Sequence, residues 1–261
     1  MRTFLPILLL TVIMSACDSG DQLINGNNSG LLHQIKYDSE LCYEFTYNES
    51  DQIVEEKSKY HYTKHNYQNG RLISSDHYVD SRMFSSSSYI ADSAMNRKEW
   101  VNPENTKKNS TKIYSYDNNG NLIKSESNID ICEFSYDEKG RMTRQTFYHE
   151  NEQTGYIDYE YDDNDNLSEK LHYWILDSGE TELQTTTEYK YDSKINPYKA
   201  FSSLKIPGEY TNTNNIIKET YTIIQEVDKS IDKVQITENI YRYNSHNLPV
   251  SKNGSETFIY Y

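Results

Sequence analysis

Residues 113–142 read IYSYDNNGNLIKSESNIDICEFSYDEKGRM, and the same phrase occurs in them twice. The first copy runs from Tyr114 to Leu122 and the second from Phe134 to Met142. Each copy has a ring, a polar residue, a tyrosine, an aspartate, two variable residues, a glycine, one further residue and an apolar residue. A phrase repeated at a fixed spacing predicts a repeated supersecondary unit.

The first half of the phrase predicts a strand with one aromatic face. Side chains alternate along a strand with a period of two, so the two rings of each copy lie on the same face. The residue between the rings is polar in nearly every copy and lies on the other face. These intervening residues are Thr46, Ser115, Ser135, Glu160, Lys190 and Arg242.

The second half of the phrase predicts a tight turn. The aspartate opens the turn because its carboxylate can accept a backbone N–H two residues further on. The glycine takes the left-handed conformation that closes a type I turn with a bulge. We therefore predict that residues 31–261 form an all-β domain. It is an antiparallel meander of repeated β-hairpins in an open, curved or twisted sheet, with at most one short helix.

The phrase recurs in weaker form along most of the chain. Further copies begin at Phe45, Tyr67, Tyr159, Tyr189 and Tyr241. Asp51 stands in the glycine position of one copy, and aspartate tolerates the left-handed region better than most residues. Ile195 stands in the same position of another copy, where a β-branched residue predicts a different turn. Pro197 and Pro249 each remove a ladder donor, which suits an edge or a bulge.

The pattern is interrupted at two places. Residues 76–112 are an irregular insertion or a domain seam, with a short helix expected near 89–98. Residues 201–215 are predicted to be a loop, followed by a pair of strands over 216–240. Residues 257–261 are the closing strand.

The N-terminus has the pattern of an export signal. Arg2 supplies the positive charge, and residues 4–14 are almost wholly apolar but too few to cross a bilayer. The small residues before Cys17 resemble the lipobox of bacterial lipoproteins. That resemblance implies a signal peptide over 1–16, lipid attachment to Cys17 and a flexible tether over 17–30, with membrane anchoring through the lipid.

Composition limits the class of protein. The net charge of −14 makes nucleic acid an unsuitable partner. The 25 tyrosines favour a thin sheet faced with rings over a thick aliphatic core.

The phrase Tyr-x-Tyr-Asp-x-x-Gly-Asn-Leu resembles the YD repeat of the Rhs and teneurin-like proteins. With its lipobox, the whole chain is similar to small YD-repeat lipoproteins of unknown function in Gram-negative bacteria. The resemblance implies a curved β-sheet and a lipid-anchored envelope protein, at the outer membrane or cell surface rather than the inner membrane. It carries over no catalytic residue.

Few residues suggest chemistry. His61 and His65 lie four apart, but in a predicted strand they are expected to be solvated rather than to bind a metal. Residues 162–166 (DDNDN) resemble a calcium-binding loop, but the turn of the repeated phrase already accounts for them. Cys42 and Cys132 could pair in an oxidising compartment, although the register argues against it, and two free thiols are the alternative. We predict no catalytic residue, metal or cofactor.

The function expected from these features is binding or interaction at the cell envelope. Rings on a sheet surface can stack on a glycan or contact a protein, and this interpretation requires an aromatic patch that is open to solvent. The alternative is a carrier or chaperone for lipid or lipoprotein that uses the curved sheet. A glycan hydrolase is a weaker third hypothesis, since it needs two carboxylates that converge in one cleft.

Overall fold

A computed structural model describes residues 30–58, 61–80, 103–204, 207–208, 210–224 and 232–261. Within these ranges, seventeen strands form one antiparallel sheet, which confirms the predicted fold class. The strands are β1 (Leu32–Tyr37), β2 (Glu40–Tyr47), β3 (Ile53–Ser58), β4 (His61–Gln68), β5 (Arg71–Asp80), β6 (Thr106–Tyr116), β7 (Leu122–Ser127), β8 (Asp130–Tyr136), β9 (Met142–His149), β10 (Glu152–Tyr161), β11 (Leu167–Ile175), β12 (Thr181–Tyr191), β13 (Ile216–Ile223), β14 (Lys233–Glu238), β15 (Tyr241–Tyr243), β16 (Pro249–Lys252) and β17 (Glu256–Tyr260).

Two 3-10 segments complete the described secondary structure, Pro103–Asn105 and Pro197–Leu204. The expected signal peptide (1–16), Cys17 and the tether up to residue 29 lie outside the described residues, as does the helix expected at 89–98. None of the helices in the described ranges is long and apolar enough to cross a bilayer.

The sheet is a meander in which strands pair with their neighbours in the chain. Pairing is continuous from β1 to β14 and again from β15 to β17. The last strand, β17, pairs back onto β1, so the spatial order begins at β15 and ends at β14. The predicted closing strand and the predicted pair of strands over 216–240 are both present.

The two edge strands of this order, β14 and β15, are consecutive in the chain. Only Asn239 and Ile240 separate them, and in the described residues no ladder joins them, so the sheet is not closed. The Asn239 N–H donates to the Ile217 carbonyl on one side at 2.8 Å. The Ile240 carbonyl accepts from the Asn253 N–H on the other side at 2.8 Å. The chain therefore passes directly from one end of the sheet to the other.

The turns have the predicted geometry. In the first copy of the central phrase, the Asp117 carboxylate accepts the Asn121 N–H at 2.8 Å, and this bond lowers the pKa of Asp117. Gly120 has a φ of 87°, and the ladder shifts register beside Tyr116, as a bulge requires. Asp51 is left-handed with a φ of 57°, as expected for a residue in the glycine position.

Two expectations about irregular regions need adjustment. Residues 76–80 and 106–112 belong to β5 and β6 and pair with each other, although the sequence pattern placed them in the irregular stretch. The loop predicted for 201–215 is wrong over Phe201–Leu204, which is the end of a 3-10 helix. Phe201 is only 1% exposed, so burial of its ring fixes this part of the chain.

The sheet is curved around the face that carries the repeated rings, which we call the ring face. Segment 192–215, described over residues 192–204, 207–208 and 210–215, leaves β12, crosses the ring face and returns to β13. Phe201 on this segment packs against Phe45 of β2, with ring centroids 4.7 Å apart. Because β2 is many strands away from β12 and β13, this contact requires the sheet to curl. The main core lies at this crossing and consists of Leu32, Ile35, Phe45, Ile53, Phe201 and Phe258.

Candidate functional site

The repeated tyrosines are part of the architecture. The second tyrosine of a unit donates its hydroxyl hydrogen bond to the carbonyl of the first apolar residue in an earlier return strand. Tyr136 bonds the Leu122 carbonyl at 2.8 Å, and burial raises the pKa of Tyr136 to about 12. The same bond recurs for Tyr47–Leu32, Tyr116–Leu72, Tyr161–Met142, Tyr191–Leu167 and Tyr260–Pro249. These hydroxyls hold the units together and are not displayed to a ligand.

An open aromatic patch occurs elsewhere on the ring face, around Trp174. Phe147 of β9 and Trp174 of β11 are both paired with Gly155 of β10, so the two rings flank a residue without a side chain. His172 lies edge-on to both rings, 6.0 Å from Phe147 and 6.4 Å from Trp174. We call this group, Phe147, Gly155, His172 and Trp174, the aromatic slot.

The aromatic slot is open to solvent, and the strand spacing gives its width. It opens into a cleft of about 490 Å³, and Trp174 is 52% exposed. Phe147 and Trp174 are two strand spacings apart, which is about 9.6 Å between their backbones. Burial lowers the pKa of His172, so its imidazole is neutral at pH 7 and offers both a donor and an acceptor.

Gly155 is required at the floor of the slot. A Cβ at this position would lie 2.4 Å from the Tyr173 carbonyl oxygen, closer than real contacts allow. The ladder is also irregular between Gln153 and Gly155. The sequence reasoning did not single out these residues. The available signal was a glycine inside a strand, which often marks a close backbone approach.

A second cleft of about 490 Å³ lies on the ring face between β2 and β6, and His65 forms part of its wall. His65 is 7% exposed, and its Nδ1 is 2.8 Å from Ser75 Oγ, which is 3.1 Å from the Tyr114 hydroxyl. Its Nε2 is buried and has no hydrogen-bond partner among the described residues. Burial, together with nearby His77, lowers the pKa of His65 to about 4.

Glu56 lines the same cleft, and its environment contrasts with that of Glu55. Glu55 is on the opposite face and accepts from the Tyr62 hydroxyl at 2.6 Å, with Lys57 Nζ 3.5 Å away. Glu56 has no hydrogen bond or ion pair with any residue in the described part of the chain, and burial raises its pKa. The ring face thus holds a carboxyl group without a neutralising partner in those ranges.

A third cleft, of about 380 Å³, lies beside segment 192–215 and is rich in asparagine. These amides mostly hold the segment in place. Asn212 Oδ1 accepts the Leu167 N–H at 2.9 Å, and Asn196 Nδ2 donates to the Asn212 carbonyl at 3.0 Å. Asn215 Nδ2 donates to both carboxylate oxygens of Asp192, at 3.2 and 3.3 Å.

The structure places the other residues named from the sequence as follows. His61 is exposed, but the expectation that His65 is also solvated was wrong, because His65 is buried and its ring is hydrogen-bonded to Ser75. In the described ranges no three His, Cys, Asp or Glu side chains are grouped to hold a metal. Cys42 and Cys132 are free thiols.

The predicted turn at residues 162–166 is confirmed. One oxygen of the Asp162 carboxylate accepts the N–H groups of Asn164 and Asn166, at 2.8 and 2.9 Å. The other oxygen accepts from Asn166 Nδ2 at 3.2 Å. This carboxylate is therefore engaged in the turn itself.

Comparison with known proteins gives distant structural likenesses. No family model matches the chain, and no curated protein matches its sequence. A porin-like protein from Bacteroides vulgatus is 11% identical over 88% of this chain and 99% of its own, with a TM-score of 0.41.

Two further structures are similar to the chain at a lower score. A DUF3836 family protein from Parabacteroides distasonis is 15% identical over 41% of this chain and 91% of its own, with a TM-score of 0.27. TcdB2-TccC3 without its hypervariable C-terminal region is 10% identical over 84% of this chain and 13% of its own, also with a TM-score of 0.27. Likenesses at these scores carry no argument about function.

Proposed function

We propose that this chain is a glycan-binding module of the bacterial cell envelope, and that the aromatic slot holds the sugar. The observation that carries the proposal is the exposure of Trp174 beside Phe147 and across from Gly155. The apolar face of a pyranose ring stacks on an indole, and the glycine leaves space for the ring to enter. Aromatic side chains with a polar neighbour suit a ligand that is part apolar and part hydroxylated.

The polar group in the slot fits the same ligand. His172 is neutral at pH 7, so its two ring nitrogens can donate one hydrogen bond to a hydroxyl and accept another. A sugar hydroxyl has the same dual character. Among the described residues that line the slot there is no carboxylate or lysine, which favours a neutral glycan over a charged one.

The YD-repeat resemblance and the lipid-anchored location, both inferred from the sequence, are part of this proposal. The repeated Tyr-x-Tyr-Asp phrase and its hairpin geometry support a YD-repeat type of protein. The small residues before Cys17 support lipid attachment there, and with it a position at the outer membrane or cell surface. Lipid anchoring would place a binding module where envelope or external glycans are accessible.

Two alternatives receive less support. A lipid carrier needs an apolar concavity, whereas the ring face carries Glu56, Lys112, Lys170 and Glu219 at its clefts. A glycan hydrolase needs two carboxylates about 5–9 Å apart. Among the described lining residues, the aromatic slot has no carboxylate, the cleft beside His65 has Glu56 and the asparagine-rich cleft has Glu219, which favours binding over hydrolysis.

The test is a glycan array probed with the full chain purified in detergent, followed by calorimetry on the glycans that bind. Trp174→Ala should weaken binding by tenfold or more, because the stacking surface is lost. Tyr37→Ala is the matched control, since Tyr37 is 55% exposed and lies outside the slot. Equal binding by the Trp174→Ala and parent proteins, or an array without any bound glycan, would refute the proposal.

A further inference from the structure

The cleft between β2 and β6 combines half-buried Glu56 and buried His65, which the proposed glycan site does not use. Across the ladder, Glu56 is paired with Thr63, and Thr63 is paired with His77. His65 is two residues from Thr63 and on the same face, which makes it a diagonal neighbour of Glu56, at about 7–8 Å. Glu56 and His65 therefore face the same space.

The Glu56 carboxylate and the Nε2 atom of His65 lack a partner in the described ranges. A carboxylate partly removed from water without a counter-ion raises the free energy of the folded protein, as does a buried ring nitrogen without a hydrogen bond. Glu56 has neither an ion pair nor a hydrogen bond there, and His65 Nε2 has no partner. In the tautomer that donates from Nδ1 to Ser75 Oγ, His65 Nε2 carries a lone pair that no described residue satisfies.

We propose that this cleft binds a small molecule with a primary ammonium group, and that the Glu56 carboxylate accepts hydrogen bonds from that group, with His65 in the adjoining wall. An ammonium has three N–H donors and no acceptor, so it supplies the hydrogen bonds that the Glu56 carboxylate lacks in the described ranges. It also supplies the missing positive charge beside Glu56. The Tyr43 ring, 42% exposed at the rim, adds a surface that attracts a cation.

Lys112 determines which charge the other end of the ligand can carry. It lies across the same cleft on β6, and burial together with the Lys112 charge lowers the pKa of nearby His77. The ligand is therefore neutral or anionic at this end. Glu56 and Lys112 are three strand spacings apart, which is about 14 Å between backbones, and their side chains span part of that distance. An extended dipeptide spans about 7 Å, so an amphoteric ligand of this size fits.

The experiment uses calorimetry on the full chain in detergent with three matched probes. Glycylglycine has both charges, N-acetylglycylglycine lacks the ammonium group, and glycylglycinamide lacks the carboxylate. We expect glycylglycine to bind, acetylation to weaken binding at least tenfold, and amidation to weaken it about threefold. No binding of glycylglycine, or equal binding of the acetylated probe, would overturn the proposal without the use of any variant.

Substitutions at Glu56 and Glu55 test whether the ligand binds in this cleft. Glu56→Gln should weaken glycylglycine binding at least tenfold, because the amide lacks the charge that the ammonium group needs. Glu55→Gln is the matched control at the next residue, on the opposite face, and should bind as the parent does. Unchanged binding by Glu56→Gln, with the fold verified by circular dichroism, would exclude this cleft. The outcome is independent of the glycan test, which concerns Trp174.

Discussion

The hairpins of β6 to β9 and segment 192–215 are built from the same residue types, but their bonds act over different distances. In the hairpins, Tyr136 bonds a carbonyl 14 residues away, and Asp137 bonds Arg141 within one turn. In the segment, Asn212 bonds Leu167, 45 residues away, and Phe201 packs on Phe45 across the sheet. Short-range bonds make each unit regular, whereas long-range bonds determine how the sheet curls.

The first prediction removes the contact that joins the segment to the far strands. Phe201→Ala should lower the free energy of unfolding by about 3–5 kcal/mol, because a buried ring is replaced by a cavity. Chemical denaturation monitored by circular dichroism measures the change. Lys199→Ala, an exposed change on the same 3-10 helix, is the control and should have little effect. A small loss for Phe201→Ala would mean that the segment does not hold the curled sheet together.

The second prediction compares two asparagines at the same position of the repeated phrase. Asn166 Oδ1 accepts the N–H groups of Thr213 and Asn214, and its Nδ2 donates to the Asp162 carboxylate. Asn166→Ala leaves these partners unsatisfied and should cost about 2–4 kcal/mol. Within the described ranges the Asn121 side chain bonds only Asp117, so Asn121→Ala should cost about 1 kcal/mol. Equal costs in denaturant titrations would contradict the distinction between short-range and long-range roles.

The third prediction concerns the bond that connects successive units. Tyr136→Phe removes the donor to the Leu122 carbonyl and should lower stability by about 1 kcal/mol. Tyr37→Phe is the control, because Tyr37 is exposed and its hydroxyl has no partner within the described ranges. The two variants should therefore unfold at different temperatures, with Tyr136→Phe the lower. If they unfold at one temperature, the repeated hydroxyl bond adds no net stability.

The smallest effect is expected at the glycine position of the turns. Asp51 has a φ of 57°, so Asp51→Gly should relieve strain and be neutral or stabilising by up to about 0.5 kcal/mol. Ile195 is not among the described residues with positive φ, and its turn leads into the 3-10 helix at Pro197. Ile195→Gly should therefore destabilise the protein by about 1 kcal/mol. Chemical denaturation of both variants measures the change in the free energy of unfolding. If both variants were destabilised, or both stabilised, the two turns would not differ as assigned.

Sequence reasoning predicted the hairpin units well because their geometry depends on neighbouring residues. The ring pair, the aspartate turn and the left-handed residue are all specified within one copy of the phrase. The different turn at Ile195 was also predictable, since a β-branched residue resists a positive φ. The 3-10 helix at Pro197–Leu204 was missed, because its position depends on burial of Phe201 against a distant strand.

The candidate sites were less predictable than the fold. Trp174 and Phe147 come together only because both pair with Gly155, which requires the registers of three strands. His65 was expected to be solvated, yet it is buried and hydrogen-bonded to Ser75, which is in turn within hydrogen-bond distance of the Tyr114 hydroxyl. A side chain's exposure depends on the strands beside it, and the phrase does not specify which residues of neighbouring strands meet.

The sequence by itself determined the hairpins, their turns and the face on which the rings lie, because these follow from alternation and local turn chemistry. Only the tertiary structure decided that segment 192–215 crosses the ring face and that the chain passes directly from β14 to β15. It also decided that the open aromatic slot involves Trp174 instead of the repeated tyrosines. The physical reason is that curvature, strand register and burial arise from contacts between residues far apart in the chain, which no single repeat encodes.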